Sequence, residues 1–288
     1  MMVTPYDDER VFVTLQPDHA RVAGYLAAHW GNEGFDAPQP YTSFVLAAQE
    51  HDHGWWRYEC KPTLSSAGQP LDYHGGTLQH LGQQRLDLYA QWTEDLGLVD
   101  PYAALLVNLH LCGLLNGGFG RVAAHPDLRE DPRVRRHLER QARSRERLHE
   151  LLAADSALSP YLSSAWLEQN FMLLEAVDQL AQLLCNRYPL TNTARQKPTM
   201  GLGGIAVPRG CGRQSTAMTV QVQGASVAVI EPFPFDRPLR VSFEGRMLPR
   251  RPYVDRAAFL RDFYRAERLM VQVELVATIG GDRAGSER

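Results

Sequence analysis

The run Phe44-Val45-Leu46-Ala47-Ala48-Gln49-Glu50-His51-Asp52-His53-Gly54-Trp55 carries an apolar helical stretch straight into two adjacent metal-capable side chains, and a glycine closes it. Neighbours on a helix point about 100° apart, so His51 and Asp52 cannot both face a core. They can converge on one ion where the helix end borders a cleft. His19, His80, His110 and Asp178 supply further imidazoles and a carboxylate, each on a predicted helix. A fold that uses them together must return five helices to one region.

The hydrophobic pattern predicts those helices. Val11 to Leu15 alternates and reads as a short strand. Pro17-Asp18 opens a helix with Val22, Tyr25, Leu26 and Trp30 on its buried stripe, ended at Gly31. Tyr41 to Asp52 is the second helix, and residues 56–76 read as a long loop. Thr77 to Glu94 is the third, and Asp100-Pro101 starts a fourth, with Asp100 as N-cap and Pro101 in the first helical position. Residues 126–155, dense in Arg and Glu, read as a solvated amphipathic helix. Another helix starts at Pro160 and ends near Cys185. Beyond it the character changes. Met218 to Val222, Ser226 to Ile230, Leu239 to Phe243 and Leu269 to Val276 read as strands, with a short helix at Arg256 to Ala266.

The expected fold is therefore mainly α: a multi-helix metal-binding domain over 11–188, a mixed β/α C-terminal segment over 189–279 packed on the bundle, and a disordered tail at 280–288. Composition excludes several classes. A formal net charge of −3 argues against general nucleic-acid binding. The four cysteines, Cys60, Cys112, Cys185 and Cys211, are far apart and form neither a zinc ribbon nor a disulfide framework. The acidic N-terminus has no signal-peptide core, and no apolar run reaches the ~18 residues of a membrane span. A cytoplasmic protein acting on a small molecule, with no membrane or nucleic-acid partner, is the expectation; the sequence does not set its oligomeric state.

Successive candidate ligands lie about one helix and one return connection apart, which is how bundle metal sites are assembled. Imidazole with carboxylate suits iron, manganese or zinc. Six ligands exceed one tetrahedral site, so two metals are expected. Asp52 would bridge them, His19, His51 and Asp178 would complete the first, and His80 and His110 would hold the second, with His74 competing for the place of His80. Plainer readings stand beside these: His51 as a dipole-favoured residue at a helix C-terminus, His110 as a satisfied core histidine, and Asp178 on the polar face beside Gln179.

The order His…His-Asp…His…His…Asp resembles the HD-domain superfamily in its six-ligand, dinuclear version, over roughly residues 15–188. Gln16-Pro17-Asp18-His19-Ala20, His51-Asp52-His53-Gly54-Trp55, Asp178-x-x-Ala181-x-x-Leu184-Cys185 and Pro232-Phe233-Pro234-Phe235 further resemble a bacterial domain-of-unknown-function family, number 3891. The resemblance implies an HD-like helical bundle and supplies no substrate. Many HD enzymes carry a lysine in a His-Asp-x-Gly-Lys run; Trp55 stands at that position here, and Arg57 is the nearest substitute.

The resemblance implies a metal-dependent hydrolase, acting on a phosphate ester. Asp52 would hold the nucleophile between two divalent ions, and His53 or Arg57 would assist the leaving group or bind the anion. A mixed-valent di-iron oxygenase would use the same six ligands. A metal-stabilised sensor or binding module is the non-enzymatic alternative.

Overall fold

The computed structural model describes residues 1–73, 82–117, 130–191 and 204–277. Two strands open the chain, β1 (Met2–Pro5) and β2 (Arg10–Thr14). The helices α1 (Gln16–Ala28), α2 (Tyr41–Glu50), α3 (Trp56–Glu59), α4 (Gln83–Gly97), α5 (Pro101–Asn116), α6 (Pro132–Ala153) and α7 (Ser164–Cys185) follow. A 3-10 turn, His53–Trp55, separates α2 from α3. The C-terminal stretch holds β3 (Ile205–Val207), β4 (Thr216–Gln223), β5 (Val227–Glu231), β6 (Leu239–Pro249), α8 (Arg256–Arg265) and β7 (Arg268–Val276). Asp100 caps α5 by accepting the Ala103 amide at 2.9 Å, and Pro101 fills its first turn.

Among the described residues the seven strands form one sheet in the order β1-β2-β6-β7-β5-β4-β3. Its pairings are antiparallel except β5 with β7. Alternation along β2 sets the two faces. Phe12 joins the main core with the helices, whereas Val11 and Val13 join a second cluster with Leu248, Phe259 and Phe263. The sheet is thus covered by the helical body on one face and by α8 on the other.

This corrects the expectation of a mainly α, HD-like bundle. The described residues are about 49% helix and 21% strand, with a curled seven-stranded sheet to which strands from early and late in the chain contribute. The reason is physical. β1 and β2 are four and five residues long; β1 pairs with β2, and β2 pairs with β6 across almost the whole chain, a contact with no local signature. β6 also runs past Phe243, where the pattern predicts an end, and on through Gly245. An added Cβ there would lie 2.0 Å from the Phe12 ring, so the glycine makes room for the neighbouring strand's largest side chain.

The helices pack on the sheet through α1 and α7. Phe235 is buried edge-on against Trp30, with ring centroids 5.7 Å apart, and the Gly31 amide donates to the Pro234 carbonyl at 2.9 Å. The Pro232–Phe235 run thereby docks onto the end of α1. No helix among the described residues is long and apolar enough to cross a membrane.

Candidate metal centre

Four helices bring five of the sequence-selected residues together. His19 lies in the first turn of α1, its backbone N–H donating to the Leu15 carbonyl at 3.2 Å. His51 is the C-cap of α2 and is still helical (φ −57°, ψ −32°). At Asp52 the chain leaves the helix (φ −116°, ψ 10°). That departure is why two adjacent residues, which a continuous helix would splay apart, reach the same point. His110 comes from the middle of α5 and Asp178 from the middle of α7.

The ligating atoms are close. His19 Nε2 is 3.2 Å from His51 Nε2 and 3.1 Å from Asp178 Oδ1, and His51 Nε2 is 3.3 Å from Asp178 Oδ1. Asp52 Oδ2 lies 3.7 Å from His19 Nε2 and 3.9 Å from His51 Nε2. His110 shares a second group with His51 and Asp178, its donor atom within 4.8 Å of theirs. All five are buried; Asp52, at 7%, is the most exposed.

The separations among His19, His51 and Asp178 fit a cation, with Asp52 and His110 farther out. Bonds of about 2.1 Å, spread by about 90–110°, place neighbouring ligand atoms roughly 3.0–3.4 Å apart. The tautomers agree. His51 Nδ1 lies 2.8 Å from the Ala48 carbonyl and must donate to it, so the neutral ring turns the lone pair of Nε2 toward His19 and Asp178. His110 Nδ1 is held by Glu175 Oε1 at 2.5 Å, and Asp178 Oδ1 accepts from Gln182 Nε2 at 2.8 Å. Such outer partners orient ligands in metal sites. The buried His and Asp groups are close enough to bind a metal ion.

Without a cation the cluster must hold a proton. Burial opposes charging His51, but Asp178 and Asp52 outweigh it and raise its pKa to about 9. Burial likewise opposes ionising Asp178, yet the His51 charge and the His19 and His51 hydrogen bonds hold its carboxyl well below the usual range. A divalent ion would replace that proton.

The remaining sequence candidates lie apart from this centre or beyond the described residues. His53 pairs with Glu50 at 3.3 Å and packs on Trp92. Arg57 forms a surface ion pair with Asp95 at 3.2 Å. His80 and its competitor His74 lie outside the described residues, as does the tail at 280–288. Sequence reasoning missed Glu175 and Gln182. The signal was present: Glu175, Asp178 and Gln182 recur at i, i+3 and i+7 on an otherwise apolar helix, one polar face turned inward.

A family model described as "Protein of unknown function (DUF3891)" matches residues 1–250, and the chain belongs to that family. No curated protein and no solved structure matches the chain.

Proposed function

We propose that this chain, as a member of that family, is a metal-dependent hydrolase of a phosphate ester, with a ligand set of the HD-superfamily type. The convergence of His19 Nε2, His51 Nε2, Asp178 Oδ1 and Asp52 Oδ2 at 3.1–3.9 Å carries this reading. The ions are iron, manganese or zinc, two per chain, the second held by His110 with His80. When bound, they supply a Lewis acid and an activated water. The protein's own groups set the stage. Ala48 and Glu175 fix the His51 and His110 rings, and Gln182 fixes the Asp178 carboxylate. Asp52 is the most accessible of the five and would help hold the ions and present the nucleophile to the substrate. The substrate is a small molecule met in the cytoplasm.

Hydrolysis of p-nitrophenyl phosphate and its bis-ester by metal-loaded protein tests the reading. Turnover should vanish with a chelator and fall by about 100-fold or more in Asp52→Asn, in keeping with the several kcal/mol that metal activation supplies. The near-complete burial of His19, His51, His110 and Asp178 favours one rival, a closed metal-stabilised module. Fully loaded protein with no turnover on phosphate mono- and diesters would overturn the hydrolase reading.

A further inference from the structure

Arg85, in the first turn of α4, is 7% exposed, a burial that arginine tolerates when it is paired. Among the described residues no carboxylate pairs with it. Its guanidinium stacks over Trp55 at 5.2 Å and Tyr89 at 5.1 Å. Nε and Nη2 both donate to the Tyr89 hydroxyl, at 2.8 and 2.6 Å. Nη1 is buried with no hydrogen-bond partner among the described residues. Burial raises the Tyr89 hydroxyl to about 12, so it stays neutral and leaves the arginine charge uncompensated. A buried cation without a counter-charge is unfavourable unless an anion visits it.

The position points to which anion. Trp55, which Arg85 covers, follows Asp52 by three residues in the turn that carries the chain out of the metal centre. Tyr89 lies 5.8 Å from Trp55, centroid to centroid, and within electrostatic reach of the Asp52 carboxylate. Arg57 is occupied at the surface by Asp95. A guanidinium held beside two aromatic rings, with its Nη1 unused, offers a charged donor that suits a phosphoryl oxygen.

We infer that Arg85 is the anion-binding residue of the metal centre, and that its free Nη1 receives a non-bridging oxygen of a phosphate-bearing substrate. The inference rests on the phosphate-ester reading above, and its test separates the two. Inorganic phosphate is titrated calorimetrically into metal-loaded wild type, Arg85→Gln and Arg85→Lys, with metal content measured on each sample. The expected result is a loss of phosphate affinity of tenfold or more in Arg85→Gln, a smaller loss in Arg85→Lys, and unchanged metal content in both. Equal phosphate affinity in folded Arg85→Gln would overturn the assignment and show a purely packing role on Trp55 and Tyr89. Should Gln at this position prevent folding, Arg85→Lys decides: a loss of about threefold or more supports the assignment, and wild-type affinity refutes it. If the wild type takes up no metal, the hydrolase reading fails. Phosphate binding to that metal-free chain then still tests Arg85: sensitivity to Arg85→Gln upholds the anion site, while binding that is absent or insensitive rejects it.

Discussion

His51 shows how one residue's backbone and side chain jointly prepare a ligand. Its Nδ1–H is spent on the Ala48 carbonyl, so only Nε2 is left to face His19 and Asp178. Gln182 does the equivalent for Asp178. Removing such an outer partner typically weakens metal affinity by about 10–100-fold while leaving the ligands in place. Gln182→Ala should therefore keep the wild-type stoichiometry at saturation and lose about tenfold or more in affinity; an unchanged dissociation constant would show that Gln182 does not support the site. At this scale much was legible. The His51-Asp52 pair and the single imidazoles or carboxylate on apolar helices single out five residues that the fold gathers. Glu175, Gln182 and Arg85 were not singled out, because a lone polar residue on a helix ordinarily reads as solvated. Only packing reveals that these three face inward.

α6 shows the limit of charge patterning at the scale of an element. Its arginines and glutamates predict a solvated helix, yet it buries His137, Gln141 and Ser144. Asn108 on α5 donates to Gln141 Oε1, and Arg145 donates to Asn108 at 2.7 Å. Among the described residues His137 takes no partner at Nε2. Burial, with Arg140 on the same helix and against the opposing charge of Asp87 on α4, lowers it to about 4. Folding therefore keeps His137 neutral. Its contribution is complete above pH 6.5 and is lost as the pH falls through 4, because only the unfolded chain takes up the proton in between. The full effect is on the order of 3 kcal/mol. Denaturant midpoints measured from pH 7 to pH 4 should fall in wild type and fall less in His137→Gln; parallel curves would remove His137 as a cause. In the sheet, Gly245 lies under the Phe12 ring. Gly245→Ala should cost on the order of 1–3 kcal/mol, the usual scale for overpacking. Phe12→Leu in the same chain should recover part of that cost, and a simple sum of the two losses would show that they do not clash.

Over the whole molecule, the sheet ties the two ends of the chain to one helical core. The long amphipathic helices announce themselves over ten to twenty residues, and most were legible. The sheet was not, because β2 finds β6 through register Val11↔Leu248 and Phe12↔Met247, a pairing that no window of sequence contains. An expectation of a helical bundle with an appended β segment follows naturally from local patterns, and non-local pairing overturns it. Phe235 ties the stretch between β5 and β6 to the end of α1. Phe235→Ala should destabilise by about 3–5 kcal/mol, the range for emptying a buried aromatic position; a wild-type melting curve would mean that this contact adds little. Four of the helices so held deliver ligands to one point, and metal uptake there is the central claim. Its most direct measurement is metal content per chain after anaerobic purification, for wild type beside Asp52→Ala and Asp178→Ala. Close to two equivalents of iron, manganese or zinc in wild type, falling toward zero in Asp52→Ala and losing at least one in Asp178→Ala, is the predicted result. A wild-type chain that takes up no metal, or variants that retain full occupancy, would contradict it.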